Sequence, residues 1–201
     1  MLNARESEEK GPPARAAILD AAIREFAEHG RDGVRMEKVA VRAGVNKSLV
    51  YRYFDNRERL FEEAMGACFQ SRFGFLDTLP SDFDKLLKAW AERFRSDQLF
   101  MAMMLREALE WNGDEPVQAQ SRKVYYAQQV DMVRSLQARG DLPRGIQAEY
   151  LFLALLGMLA FPALLPQVTA LVTGADSTSD AFARKWHRAL TQLAHTFVET
   201  E

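Results

Sequence analysis

The sequence predicts an all-α protein of about nine helices, with an N-terminal three-helix domain followed by a larger helical domain. Apolar side chains recur at three- and four-residue steps from Ile18 to Phe197, turn signals separate the periodic segments, and no convincing strand pattern survives between them. The 201 residues, 48% hydrophobic and 27% charged, suffice for one large or two small domains and exclude a wholly disordered chain.

Met1 to Pro13 is polar and charged and then broken by Gly11, Pro12 and Pro13, so it reads as an arm without the apolar stretch of a secretory signal. Ile18, Ala22 and Phe26 share one face of a first helix, with Arg24, Glu25 and Glu28 elsewhere on the wheel, and His29-Gly30 ends it. Met36, Val39, Ala40 and Ala43 line the inner face of a short second helix that stops at Gly44. Asn46 is a good N-cap for a third, Lys47 to Tyr53, because its side-chain oxygen can accept from an otherwise unpaired first-turn amide. Arg57 to about Leu76 carries Leu60, Phe61, Ala64, Met65 and Phe69 as a longer fourth helix. Further helices are expected at Phe83 to Phe94, Leu99 to Trp111, Val117 to Ala138, Gln147 to about Leu165 and Ala181 to Val198.

From Tyr150 through Ala175 the chain runs 26 positions without a charge, which raises the question of a membrane span. Pro162 and Pro166 interrupt it, and its dense apolar part falls short of the roughly 20 residues that cross a bilayer. A helix buried on most sides is the expectation, with no membrane partner. The single cysteine, Cys68, permits neither an internal disulfide nor a cysteine-rich zinc site, which suits a reducing, cytoplasmic setting. His29, His187 and His195 are too scattered for a metal pair, and no glycine-rich phosphate loop or nucleophile motif is present, so no catalytic residue, metal or cofactor is expected.

Two short helices joined by Gly44-Val45-Asn46 and packed on a preceding helix have the layout of a helix-turn-helix, whose second helix enters the DNA major groove. At about 100° per residue, Val50 and Phe54 point with Val45 to the core, and Ser48 and Arg52 point the opposite way. Lys47 and Leu49 occupy the first turn, where base edges are met; Arg52 can reach a guanine and Leu49 a thymine methyl. Tyr51, Tyr53 and Arg57 flank that face as phosphate partners. Spacing alone leaves a second reading open, since short helix pairs with a glycine turn also occur in helical interaction modules that bind no DNA.

The run Ile18-Leu19-Asp20-Ala21-Ala22 with Phe26 and Gly30, then Val39-Ala40 with Ala43-Gly44-Val45, then Tyr51-Arg52-Tyr53-Phe54 and Leu60-Phe61, resembles the DNA-binding domain of the tetracycline-repressor family over about Arg15 to Glu63. The resemblance implies base contacts for Lys47, Ser48, Leu49 and Arg52 and phosphate contacts for Tyr51, Tyr53 and Arg57. Two positions depart from the family pattern. Arg35 stands where a threonine usually caps the second helix and touches a phosphate, and a guanidinium keeps only the second role. Leu49 replaces a residue that is commonly small or hydroxylated.

Charge divides with this organisation: residues 1–60 hold 12 Lys and Arg against 10 Asp and Glu, whereas 61–201 hold 14 against 18. Between Arg31 and Arg59 the count is 8 against 4, so the net charge of −2 averages a basic reading head with an acidic remainder. The expected domains are an arm at 1–13, a DNA-binding domain at 14–60 and a ligand-binding and dimerisation domain at 61–201.

One recognition helix reads only a few base pairs, so a homodimer on a palindromic DNA operator is expected. Phe182, Trp186, Leu190, Leu193 and Phe197 form one stripe, and Leu151, Leu155 and Met158 or Leu159 another. The resemblance implies that these two helices pair between subunits, while packing within one subunit is the other reading. The middle helices hold Trp90, Phe94, Phe100, Met101, Met103, Met104, Trp111, Tyr125 and Tyr126, ordinary core material that can equally line an adaptable pocket. The resemblance implies a cavity here for a small hydrophobic or aromatic effector, with Arg106, Glu107 and Gln129 as polar anchors. Together these features predict a ligand-responsive transcriptional repressor; redox sensing through Cys68 is the remaining alternative, and a small buried residue there is the simpler one.

Overall fold

The computed structural model describes residues 11–199, with side chains for 14–194 and 196. Ten helices are present among them: α1 (Gly11–Gly33), α2 (Met36–Ala43), α3 (Lys47–Phe54), α4 (Arg57–Leu76), α5 (Phe83–Ser96), α6 (Gln98–Glu110), α7 (Ala119–Arg139), α8 (Ala148–Leu164), α9 (Pro166–Thr173) and α10 (Asp180–Glu199). The chain divides into two compact units, Met1–Ser71 with Ala102–Gln118, and Arg72–Met101 with Ala119–Glu201.

In the first unit, Ile18, Phe26, Val39, Val50, Phe54, Leu60 and Met65 are buried together, and the Phe26 and Phe61 rings meet edge to face at 5.0 Å. Gly11, Pro12 and Pro13 form the first turn of α1 instead of breaking the chain, since proline's missing N–H is no loss where amides have no helical acceptor. Residues 1–10 of the expected arm lie outside the described residues. Gly30 does interrupt α1, with φ 72° and ψ 176°, and a further turn follows it to Gly33.

In the second unit, α8 packs against α5 and α7, and α10 against α5. The uncharged run resolves into two helices where one was expected. α8 carries Pro162 within its last turn and stops at Leu165; Pro166 then opens α9, and the two axes bend by 89°. A proline is tolerated at the first position of α9 because it needs no amide partner there, which makes Pro166 and not Pro162 the break. Among the described residues no single helix is long and apolar enough to cross a membrane.

Candidate functional site

The reading head is assembled by local rules. Gly44 adopts the left-handed conformation (φ 69°, ψ 29°) and donates to Val41, while Val45 donates 3.0 Å to the carbonyl of Ala40, a paired closure that ends α2 after two turns. Two residues on, the Asn46 carboxamide oxygen accepts from the Leu49 amide at 2.8 Å and from the Ser48 hydroxyl at 2.7 Å, which starts α3. Val50 and Phe54 are buried, whereas Lys47, Ser48, Tyr51 and Arg52 are exposed, and Leu49 and Tyr53 half-exposed, so one face of α3 anchors it and the other is presented outward. Arg35 takes the N-cap position of α2 without a side-chain capping bond, leaving its guanidinium exposed.

The cations of the head differ in what holds them. Lys47 pairs with Glu37 and lies 5.5 Å from the Tyr51 ring centroid; the hydrogen bond raises the Lys47 ammonium above its ordinary value and lowers the Glu37 carboxyl. Arg57 donates to the Asp32 carbonyl at 3.0 Å and pairs with the carboxylates of Asp32 and Glu58, both at 3.2 Å. Arg52 and Arg35 have no ion pair among the described residues. Any anion approaching this face therefore competes with Glu37 for Lys47 and with Asp32 and Glu58 for Arg57, whereas Arg52 and Arg35 carry no such competitor among the described residues.

Arg42 joins α2 to α1: its Nε donates to Glu25 at 2.7 Å, and its two terminal nitrogens donate to the two Glu28 oxygens at 2.8 and 2.7 Å. This fork holds the Glu28 carboxyl below its ordinary value. A carboxyl depressed in the folded state stabilises it above the unfolded value near 4.5 and loses that contribution as pH falls through the folded value. Thermal melting of the first unit is accordingly expected to drop below about pH 4.5. Arg42→Ala should lower the melting temperature at pH 7 and flatten this acid limb, whereas an acid limb identical to that of the unsubstituted protein would sink the assignment.

The same unit contains the C-terminal part of α6. Arg106 donates 2.9 Å to the Glu28 carbonyl near the end of α1, and the Glu110 carboxylate accepts from the Arg31 amide at 3.1 and 3.3 Å. Trp111 is exposed and its indole N–H donates 2.7 Å to the Asp114 carbonyl. Arg106 and Trp111, expected as effector contacts, are thus committed elsewhere, and Met104 belongs to this unit too.

The second unit encloses a cavity among Arg72, Phe75, Trp90, Arg93, Phe94, Phe100, Tyr125, Tyr126, Gln129, Phe152, Leu155, Leu156 and Leu159. The cavity between these side chains has a volume of about 50 Å³. Trp90, Phe94, Tyr125 and Gln129 are brought together as expected, and Met101 is buried without lining the space. Sequence reasoning missed Arg72 and Arg93. For Arg72 a signal exists: Met65, Phe69, Arg72 and Leu76 recur at four-, three- and four-residue steps, which puts an arginine on the apolar stripe of α4.

The expected pairing stripes also divide. Leu151, Leu155, Phe182 and Leu190 are buried within the single chain, and Trp186 stacks on Phe182 at 6.1 Å. The reason is that α8 is apolar all round, so spacing marks more than one stripe. Its exposed stripe is Tyr150, Leu153 and Phe161, and on α10 Leu193 is exposed; Phe197 lies outside the described side chains.

Residues 18–64 match the model of "Bacterial regulatory proteins, tetR family". The HTH-type transcriptional repressor SCO4008 of Streptomyces coelicolor is 30% identical over 171 residues, covering 83% of this chain and 87% of that protein. The biofilm operon icaADBC HTH-type negative transcriptional regulator IcaR of Staphylococcus epidermidis is 30% identical over 59 residues, 29% of this chain and 32% of IcaR. Among solved structures, SCO4942 from Streptomyces coelicolor superposes with a TM-score of 0.70 at 21% identity, covering 91% of this chain and 97% of that one. GusR of Salmonella enterica does so at 0.66 and 19%, covering 94% and 99%. With the head's geometry and a relative matched along most of its length, the chain belongs to the tetR family of bacterial regulatory proteins and is a DNA-binding transcriptional regulator.

Proposed function

We propose that this regulator is a ligand-responsive repressor that binds a palindromic operator as a cytoplasmic homodimer and is not an enzyme. The observation that carries the reading is the division of α3 into a buried Val50 and Phe54 face and an outward Ser48 and Arg52 face. Lys47, Ser48, Leu49 and Arg52 take the base edges, and Arg35, Tyr51, Tyr53 and Arg57 the phosphates. The Tyr150, Leu153 and Phe161 stripe of α8, with Leu193 of α10, supports the subunit contact, since exposed apolar patches on soluble proteins mark interfaces. The cavity of the second unit takes a small hydrophobic or aromatic effector. Occupants larger than a few atoms must displace its half-buried rings, and such differential binding to two conformations is what lowers operator affinity.

A mobility-shift assay against the intergenic DNA beside the coding region tests this. Arg52→Ala is expected to cost about 1–3 kcal/mol of discrimination and so relax sequence preference. Arg57→Ala should weaken all sequences alike and reduce the salt slope by about one. If the two variants behave identically, the sorting of contacts is wrong; if the protein shows no salt-dependent shift, the interaction-module reading takes over.

A further inference from the structure

We propose that the effector of this cavity is an amphipathic organic anion, an aromatic or acyl body carrying one carboxylate, whose head meets Arg72 and Gln129. The inference rests on the effector-site reading above and names the class of ligand.

Arg72 and Gln129 both line the cavity and are each 3% exposed. Burying a guanidinium is costly unless charge and hydrogen bonds compensate it. The compensation here is incomplete. One carboxylate, Asp97, faces two guanidiniums, that of Arg72 at 3.2 Å and that of Arg93 at 3.3 Å. Asp97 is thus shared between the two guanidiniums, and no acidic side chain lines the space itself. The Arg72 guanidinium lies 3.5 Å from the Phe100 ring centroid and 5.3 Å from that of Phe94, contacts that hold its plane without supplying an acceptor.

Hydrogen bonding points the same way. The Arg72 Nε and the Gln129 Nε2 are buried without a hydrogen-bond partner among the described residues. Both are donors, so an occupant has to bring acceptors, and a carboxylate brings two oxygens of the charge that a guanidinium binds most strongly. An ammonium ligand would bring donors to donors and set a like charge beside the Arg72 guanidinium. The remaining walls, with Trp90, Phe152 and Leu159 among them, suit a flat or flexible apolar body.

The test uses the full chain and two matched probe sets, 2-naphthoate with 2-naphthamide and 2-naphthylmethylammonium, and decanoate with decanamide and decylammonium. Binding is followed by titration calorimetry and by release of operator DNA. A carboxylate is expected to bind at least tenfold more tightly than its amide and to release DNA, with the ammonium inert. Arg72→Met should erase the acid-over-amide preference; it leaves Asp97 paired with Arg93, and circular dichroism checks the fold. Gln129→Leu, expected to narrow the preference several-fold, serves if that variant does not fold. Amide or ammonium binding as well as the acid overturns the anionic class while sparing the effector site. An acid preference that survives in a folded variant overturns the assigned head contact. Failure of every probe to bind overturns both readings.

Discussion

Phe54→Ala is expected to remove about 3–5 kcal/mol of stability and to abolish operator binding at the assay temperature. Phe54 is 1% exposed at the end of α3, with the Arg15 guanidinium 5.3 Å from its ring centroid. Truncation forfeits the buried ring and leaves a cavity beneath the very helix that presents Ser48 and Arg52. Whole domains are stable by only about 5–15 kcal/mol, so a loss of this size takes much of what the head has. Denaturant unfolding should show a lower midpoint for the variant; a change under about 1 kcal/mol would mean that Phe54 is not a core anchor.

Gly30→Ala is the second large effect, through two independent causes. At φ 72° and ψ 176°, Gly30 sits in a region that only glycine adopts readily, and a side chain held there costs about 1–3 kcal/mol. A Cβ would also meet the tip of the Glu110 side chain that accepts the Arg31 amide, so Glu110 must swing aside and give up that bond. The backbone strain remains wherever Glu110 goes, and the melting temperature should fall. Glu110→Ala separates the two: combined with Gly30→Ala it should recover the steric part, giving a non-additive cycle. Strict additivity would show that Glu110 does not press on Gly30.

The helix-turn-helix was legible because its determinants are local. Gly44, Asn46 and the Val50 and Phe54 pair act within one or two turns of themselves, and each does what its chemistry demands: a left-handed stop, a capping oxygen, an inward face. The second unit was legible only as helices. Aromatic and methionine side chains at helical spacing describe a core and a cavity wall equally well, so Trp90, Phe94, Tyr125 and Gln129 were found together with Met101, Met104 and Trp111, which do not line the space.

Three matters lay beyond local pattern. An all-apolar helix has no polar face to orient it, so only packing against α5 and α7 turns Leu151 and Leu155 inward and leaves Tyr150, Leu153 and Phe161 outside. Arg106 and Arg72 are both arginines on helices rich in apolar residues; the first meets a main-chain carbonyl near the end of α1 and the second lines the cavity. The pairing of one carboxylate with two guanidiniums joins α4 and α5, residues 72, 93 and 97, across a turn whose geometry no periodicity encodes. The chain's own order of residues thus settled its helical class, its family and the outward face of its third helix, since those depend on neighbours a few positions apart. Which apolar faces stay open, and where the buried donors of Arg72 and Gln129 are left without an acceptor, depend on residues that meet only when the helices pack.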